Sequence, residues 1–275
     1  MRCRGWWIVL IAGLFVLIHS CGAFHGAKKE TAGETRGNKA LYVEYDVYSR
    51  RLESMNFLTK QHGVLINEGK RSQFSWAFGE KGRVTVEVDG RKDGWYQDEV
   101  GNVVLKDFES DSVQQRFIYY DVPYCTAIKL DPIQWRIEKQ TKKVGKFKCR
   151  KATCRYKGRD YTAWFTPEIP ISDGPWKLHG LPGLILEAED SKGEFKYKLK
   201  RVIYPYSGEA IVDTIPCDNW VDSLTFYNGG EIEAVKIEKM NLAAHEGGGE
   251  FRVRVFRYIP QEIGDVQKEQ NGDKK

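Results

Sequence analysis

Leu41-Tyr42-Val43-Glu44-Tyr45-Asp46-Val47 is the stretch on which the fold turns. Its odd positions are apolar and most of its even ones polar, the period that buries one face of a β-strand and wets the other. The same period returns along the chain. Val84, Val86 and Val88 alternate with Arg83, Thr85 and Glu87, and Ile133, Trp135 and Ile137 form a further apolar face. Phe195, Tyr197 and Leu199 alternate with three lysines, and Phe251, Val253 and Val255 with Arg252 and Arg254. Turn signals fall between such runs at Asp89-Gly90, Asp93-Gly94 and Gly101-Asn102. Helical spacing is best at Glu231–His245, where Ile232, Val235 and Met240 can share a face, and a strand fits that stretch about as well. Short strands separated by turns predict a mostly β fold: a single antiparallel β domain over residues 40–260, as a curved open sheet or half-barrel.

On either side of that domain the composition changes. Met1–Arg4 is a short basic segment, and Trp6–Ile18 is an unbroken apolar run too short for a comfortable membrane span. Together they predict a signal segment over residues 1–23 and an exported protein. Two processing routes stand open: lipidation at Cys21, behind Ile18-His19-Ser20, or cleavage after Ala23. Residues 24–39 are polar and glycine-rich and predict a flexible tether; residues 261–275 are charged and predict a disordered tail.

Composition narrows the function classes. Of 275 residues, 41% are hydrophobic and 29% charged, a globular balance with only three Met. The formal charge is +5, and Arg2 and Arg4 belong to the leader, so the basic excess is too small for a nucleic-acid binder. Beyond Cys3 and Cys21, four cysteines remain: Cys125, Cys149, Cys154 and Cys217. In an exported chain they can form two disulfides. Cys149 and Cys154, five apart on one strand, are expected on opposite faces and so not joined to each other. That leaves Cys125–Cys149 with Cys154–Cys217, or Cys125–Cys154 with Cys149–Cys217, or free buried thiols.

The densest local signal is Phe165–Asp190, FTPEIPISDGPWKLHGLPGLILEAED. Four prolines (Pro167, Pro170, Pro175, Pro182) forbid a regular helix or central strand there. Leu181-Pro182-Gly183-Leu184 predicts a type II turn with Gly183 at positive φ, and Leu184, Ile185 and Leu186 then enter a strand.

Gly180-Leu181-Pro182-Gly183-Leu184-Ile185 spells the hexapeptide that names the GLPGLI family, and the neighbourhood resembles that family too. It includes Cys149 and Ala152, Ala163-Trp164-Phe165-Thr166, Glu168-Ile169-Pro170, Gly174-Pro175-Trp176, and upstream Ser72 and Phe74. The resemblance covers Leu41 to Pro216; Cys154 and Cys217 are not part of it. It implies an exported Gram-negative envelope protein, periplasmic or outer-membrane-associated, of a family without an established biochemical role and sometimes encoded near outer-membrane transporters. It brings no catalytic residues. The strand–proline loop–strand rhythm also looks similar to periplasmic lipoprotein carriers, an analogy of fold alone.

Trp176, Leu178, His179, Gly180, Pro182 and Asp173 therefore form the candidate ligand or partner surface. His179 suits a ligand contact, or more simply a hydrogen bond to loop backbone. Glu168 and Asp173 can be posed as a hydrolytic carboxylate pair, but Asp in SDG is above all a turn residue. The scattered histidines match no metal motif, GxSxG is missing, and nothing calls for a cofactor. The lysines of 196–200, with Arg150, Lys151 and Arg155, suit either anionic lipid or polysaccharide or a plain solvated face. Two functions follow. One is a non-catalytic carrier of an apolar or lipid-like ligand, with a groove beneath the 167–183 loop. The other is an assembly partner of an outer-membrane transporter, docking through an exposed patch at Trp176 and Leu178. Membrane contact is expected only through a lipid on Cys21.

Overall fold

The computed structural model describes residues 40–50, 58–77, 82–88, 91–208, 211 and 214–246. The signal segment, Cys21, the tether, the Phe251–Val255 strand and the tail lie outside the described residues.

Eleven strands form one antiparallel sheet in the order β8-β7-β6-β3-β2-β1-β13-β12-β11-β10-β9. In chain order these are β1 (Ala40–Ser49), β2 (Thr59–Asn67), β3 (Arg71–Ala77), β6 (Asn102–Asp107), β7 (Ser112–Tyr119), β8 (Val122–Lys129), β9 (Arg136–Val144), β10 (Phe147–Tyr156), β11 (Arg159–Thr166), β12 (Leu184–Asp190) and β13 (Phe195–Tyr206). β4 (Gly82–Val88) and β5 (Arg91–Gln97) make a separate hairpin. Short turns set most registers. The β10–β11 hairpin turns on Lys157-Gly158, both at positive φ (49° and 76°), the conformation whose twist matches the flanking strands.

The sheet is open but strongly curled. Its two edge strands, β8 and β9, are consecutive in sequence, and the seven peptide units from Lys129 to Arg136 reach about 24 Å at most. Laid flat, eleven strands would hold the edges about 48 Å apart. Bulges help: register shifts fall between Arg150 and Ala152, between Trp164 and Phe165, and between Glu44 and Tyr45.

The period of two holds through this curl. Leu41, Val43, Tyr45 and Val47 of β1 point into the main core with Leu65, Phe74, Val104 and Phe165. On β6, Val104 joins that core, whereas Val103 and Leu105 belong to a second cluster on the other face. That second cluster is closed by Ile211, Ile215 and Cys217, after the chain leaves β13. Helices α1 (Ser223–Tyr227) and α2 (Gly229–Glu246) follow. Asp222 caps α1 through its carboxylate and Thr225 N, 2.9 Å apart. The ambiguous stretch at Glu231–His245 is thus a helix.

Two expectations need correction. Ile133 is buried and Trp135 half-buried, but both precede β9, and Ile137 within it is 38% exposed, so they share no strand face. The disulfide joins Cys125 to Cys217, a pairing absent from both expected sets, while Cys149 and Cys154 are free and buried. The reason is topological. Cys149 and Cys154 of β10 lie in the main core, whereas Cys125 and Cys217 belong to the second cluster, on the other face of the sheet. The returning chain runs along the edge of β8, where Cys125 N donates to Asn219 O (2.9 Å) and Val221 N to Cys125 O (2.8 Å).

Candidate functional site

The proline-rich segment 167–183 joins β11 to β12 without regular structure and lies across the inside of the curl. It touches strands far apart in the sheet. Trp176 meets Tyr156 and Tyr161 on β10 and β11 (ring centroids 5.9 and 6.2 Å), and His179 lies 6.0 Å from Phe108, just beyond β6. From the β8–β9 connection, Trp135 Nε1 donates to His179 O at 2.7 Å. The segment works as a strap, tying the two limbs of the sheet together.

Its underside is apolar. Ile169, Trp176, Leu178 and Leu181 are all buried in the main core, and Trp176 holds a left-handed φ of 53°, uncommon for a bulky side chain. Among the described residues, the space beneath the strap is filled by these side chains, so the expected open groove is closed. The expected exposed patch fails for the same reason: Trp176 and Leu178 serve the core, while Gly180 and Pro182 are exposed and His179 is half-buried.

Asp173 anchors the strap from within. Its carboxylate is fully buried and pairs with Lys106 of β6, also fully buried. Lys106 Nζ donates further to Gly174 O (2.8 Å), Asn67 Nδ2 to Asp173 Oδ2 (2.8 Å), and Gly174 N to Asp173 Oδ1 (2.8 Å). Such a pair is tolerable in a core only when its remaining donors and acceptors are satisfied, as they nearly are here. Burial pushes the Lys106 ammonium down in pKa, and the Asp173 carboxylate pulls it back. Lys177 is fully buried as well, its Nζ 4.9 Å from the Trp176 ring and 3.5 Å from the Tyr227 hydroxyl of α1.

Gly183 has positive φ as expected, but at 146°, and Leu184 N donates to Ile169 O (3.0 Å) rather than closing a type II turn. The residue is glycine because a Cβ would come within 2.1 Å of Thr166 O. His179 keeps the simpler role: its Nδ1 sits 2.8 Å from Lys177 O, and burial lowers its pKa. Glu168 is exposed and accepts from Lys148 N, whereas Asp173 is buried, so the two share no cavity. The free thiols are poor nucleophiles, burial pushing Cys149 up to about 11 and Cys154 to about 12. Among the described residues no group of three or more His, Cys, Asp or Glu could hold a metal ion, and no helix is long and apolar enough to cross a membrane.

The hairpin and strands bordering the strap are also where a known family is matched. Residues 155–187 match the family model Porph_ging, described as a protein of unknown function. No curated protein matches the chain. Among solved structures, PNGF-II in a P21 crystal is similar with a TM-score of 0.45 and 16% identity, and in a C2 crystal with 0.45 and 15%. Each alignment covers 68% of this chain and 32% of the PNGF-II chain, so this chain spans about a third of the length of those structures.

Sequence reasoning missed Lys106 and Lys177. Lys106 was legible in principle, because in Asn102-Val103-Val104-Leu105-Lys106 it shares parity with Val104 and so faces the core. Lys177 carried no such signal, since an irregular segment has no period.

Proposed function

We propose that this chain is a non-catalytic binding protein of the Gram-negative envelope, of the GLPGLI type, that takes an apolar or lipid-like ligand into the curled sheet when the strap moves out. One observation carries the reading: a segment without regular structure, anchored by the buried Lys106–Asp173 pair and a few hydrogen bonds, adds four apolar side chains to the core inside the sheet. A ligand of the same apolar character can replace them without exposing the wall formed by Leu41, Tyr45, Leu65 and Phe74. The apolar run Trp6–Ile18 behind a short basic segment and the Cys125–Cys217 disulfide support export to the periplasm or outer membrane.

Native mass spectrometry of the protein purified gently from its own envelope tests this directly. A stoichiometric apolar mass supports the carrier. If palmitate and lysophospholipid leave the mass unchanged and no ligand co-purifies, the carrier reading falls. The alternative, an assembly partner of an outer-membrane transporter, loses Trp176 and Leu178 as its anchors. It draws instead on α2, where Val235, Met240 and Leu242 are 44%, 59% and 64% exposed.

A further inference from the structure

The outer face of the sheet holds a second feature, independent of the strap. A cavity of about 320 Å³ opens over β9, β11, β12 and β13, a size at the small end of ligand sites. Trp164 is half-buried in its wall, with Lys142 Nζ 4.4 Å from the ring centroid. Lys142 belongs to β9, yet it forms an ion pair with Glu187 on β12. The pair thus spans three strand positions, from β9 across to β12.

The pairing leaves a cation over. Lys198 lies directly across from Glu187 on β12 and from Asp46 on β1. Both carboxylates are engaged elsewhere, Glu187 by Lys142 and Asp46 by Lys60 at 3.0 Å. Glu189 is likewise held by Lys196 at 2.6 Å. Lys198 is exposed at the cavity wall, forms no ion pair among the described residues, and has the Tyr48 ring 5.8 Å from its ammonium.

We propose that this cavity binds an acidic saccharide unit, a sugar ring bearing one carboxylate. The uncommitted Lys198 takes the carboxylate. Glu187 and Glu189 repel a ligand made only of anionic acceptors, such as phosphate, and accept from one that brings hydroxyl donors. Lys142, Lys196 and the Thr162 side chain complete the set of polar partners, and the Trp164 ring, with Lys142 over it, forms the apolar part of the wall. The cavity lies on the face away from the strap, so the failure of the carrier reading leaves this one untouched.

Isothermal titration calorimetry with trigalacturonate, maltotriose and inorganic phosphate tests it on the mature protein. Trigalacturonate is expected to bind more tightly than either of the others. Lys198→Gln, at an exposed position, is expected to weaken that binding about tenfold or more, as for loss of a charge-assisted hydrogen bond. Trp164→Leu is expected to weaken it as well, with circular dichroism checking that the sheet persists. Equal binding of maltotriose, or no change in Lys198→Gln, overturns the proposal. Phosphate binding as tightly as the oligomer overturns it too, reducing the cavity to a general anion site.

Discussion

Asp173 is the point where an irregular segment meets a buried cation. Asp173→Ala leaves the buried Lys106 without its carboxylate partner, and is expected to cost about 3–5 kcal/mol in urea unfolding. Replacing both partners, as Lys106→Met with Asp173→Leu, is expected to recover most of that loss. If the single variant unfolds like the wild type, the pair does not hold the strap. His179 gives a pH signature. Its pKa is lowered by burial, so the unfolded chain takes up a proton near pH 6.5 where the folded chain resists it. The stability it contributes is complete above that value and lost as pH falls through the folded pKa. Between about pH 7.5 and 5.5 the Tm of the wild type is therefore expected to fall more than that of His179→Asn. Parallel curves would assign the acid sensitivity to other groups.

At the scale of elements, the disulfide and the edge of β8 belong together. Cys125–Cys217 spans 92 residues and fastens the returning chain to an edge strand that would otherwise present unpaired amides. Cys125→Ser with Cys217→Ser is expected to lower stability by about 2–5 kcal/mol. Hydrogen exchange should then show the amides of Cys125 and Val221 losing protection while the β1–β13 pairing keeps its own. Equal protection in both forms would mean that backbone pairing alone holds the edge. This element also shows where reading residues one at a time gives out. The alternation in β1 and β13 sufficed for strands, and the prolines for an irregular 167–183. Which cysteine meets Cys125 depends on where the chain returns after β13, information that no local pattern contains.

For the whole molecule, the question is whether the strap stays in. Lys177 is fully buried, so trypsin is expected to spare the Lys177–Leu178 bond in the native protein while cutting at exposed lysines such as Lys146 and Lys148. Palmitate or lysophospholipid that enters the sheet is expected to expel the strap and open that bond to cleavage, visible by mass spectrometry. Cleavage at Lys177 without any ligand would mean that the strap is loose at rest. Protection that persists when ligand binds would place the ligand elsewhere.

What the sequence by itself determined is what local rules govern. Side-chain alternation gave antiparallel strands, four prolines an irregular segment, and a turn-prone Gly183 its positive φ. Tertiary structure alone decided what those pieces face. An eleven-stranded sheet can present its apolar side to a ligand or to its own connecting segment, and the pattern of alternation is the same in both cases. The curl that brings β8 and β9 within one short connection settled the choice. It drew the strap inward and buried Trp176 and Leu178, which the proline-rich local sequence placed at a surface, while the cavity over β9, β11, β12 and β13 set Lys142 against Glu187 and left Lys198 exposed at its wall.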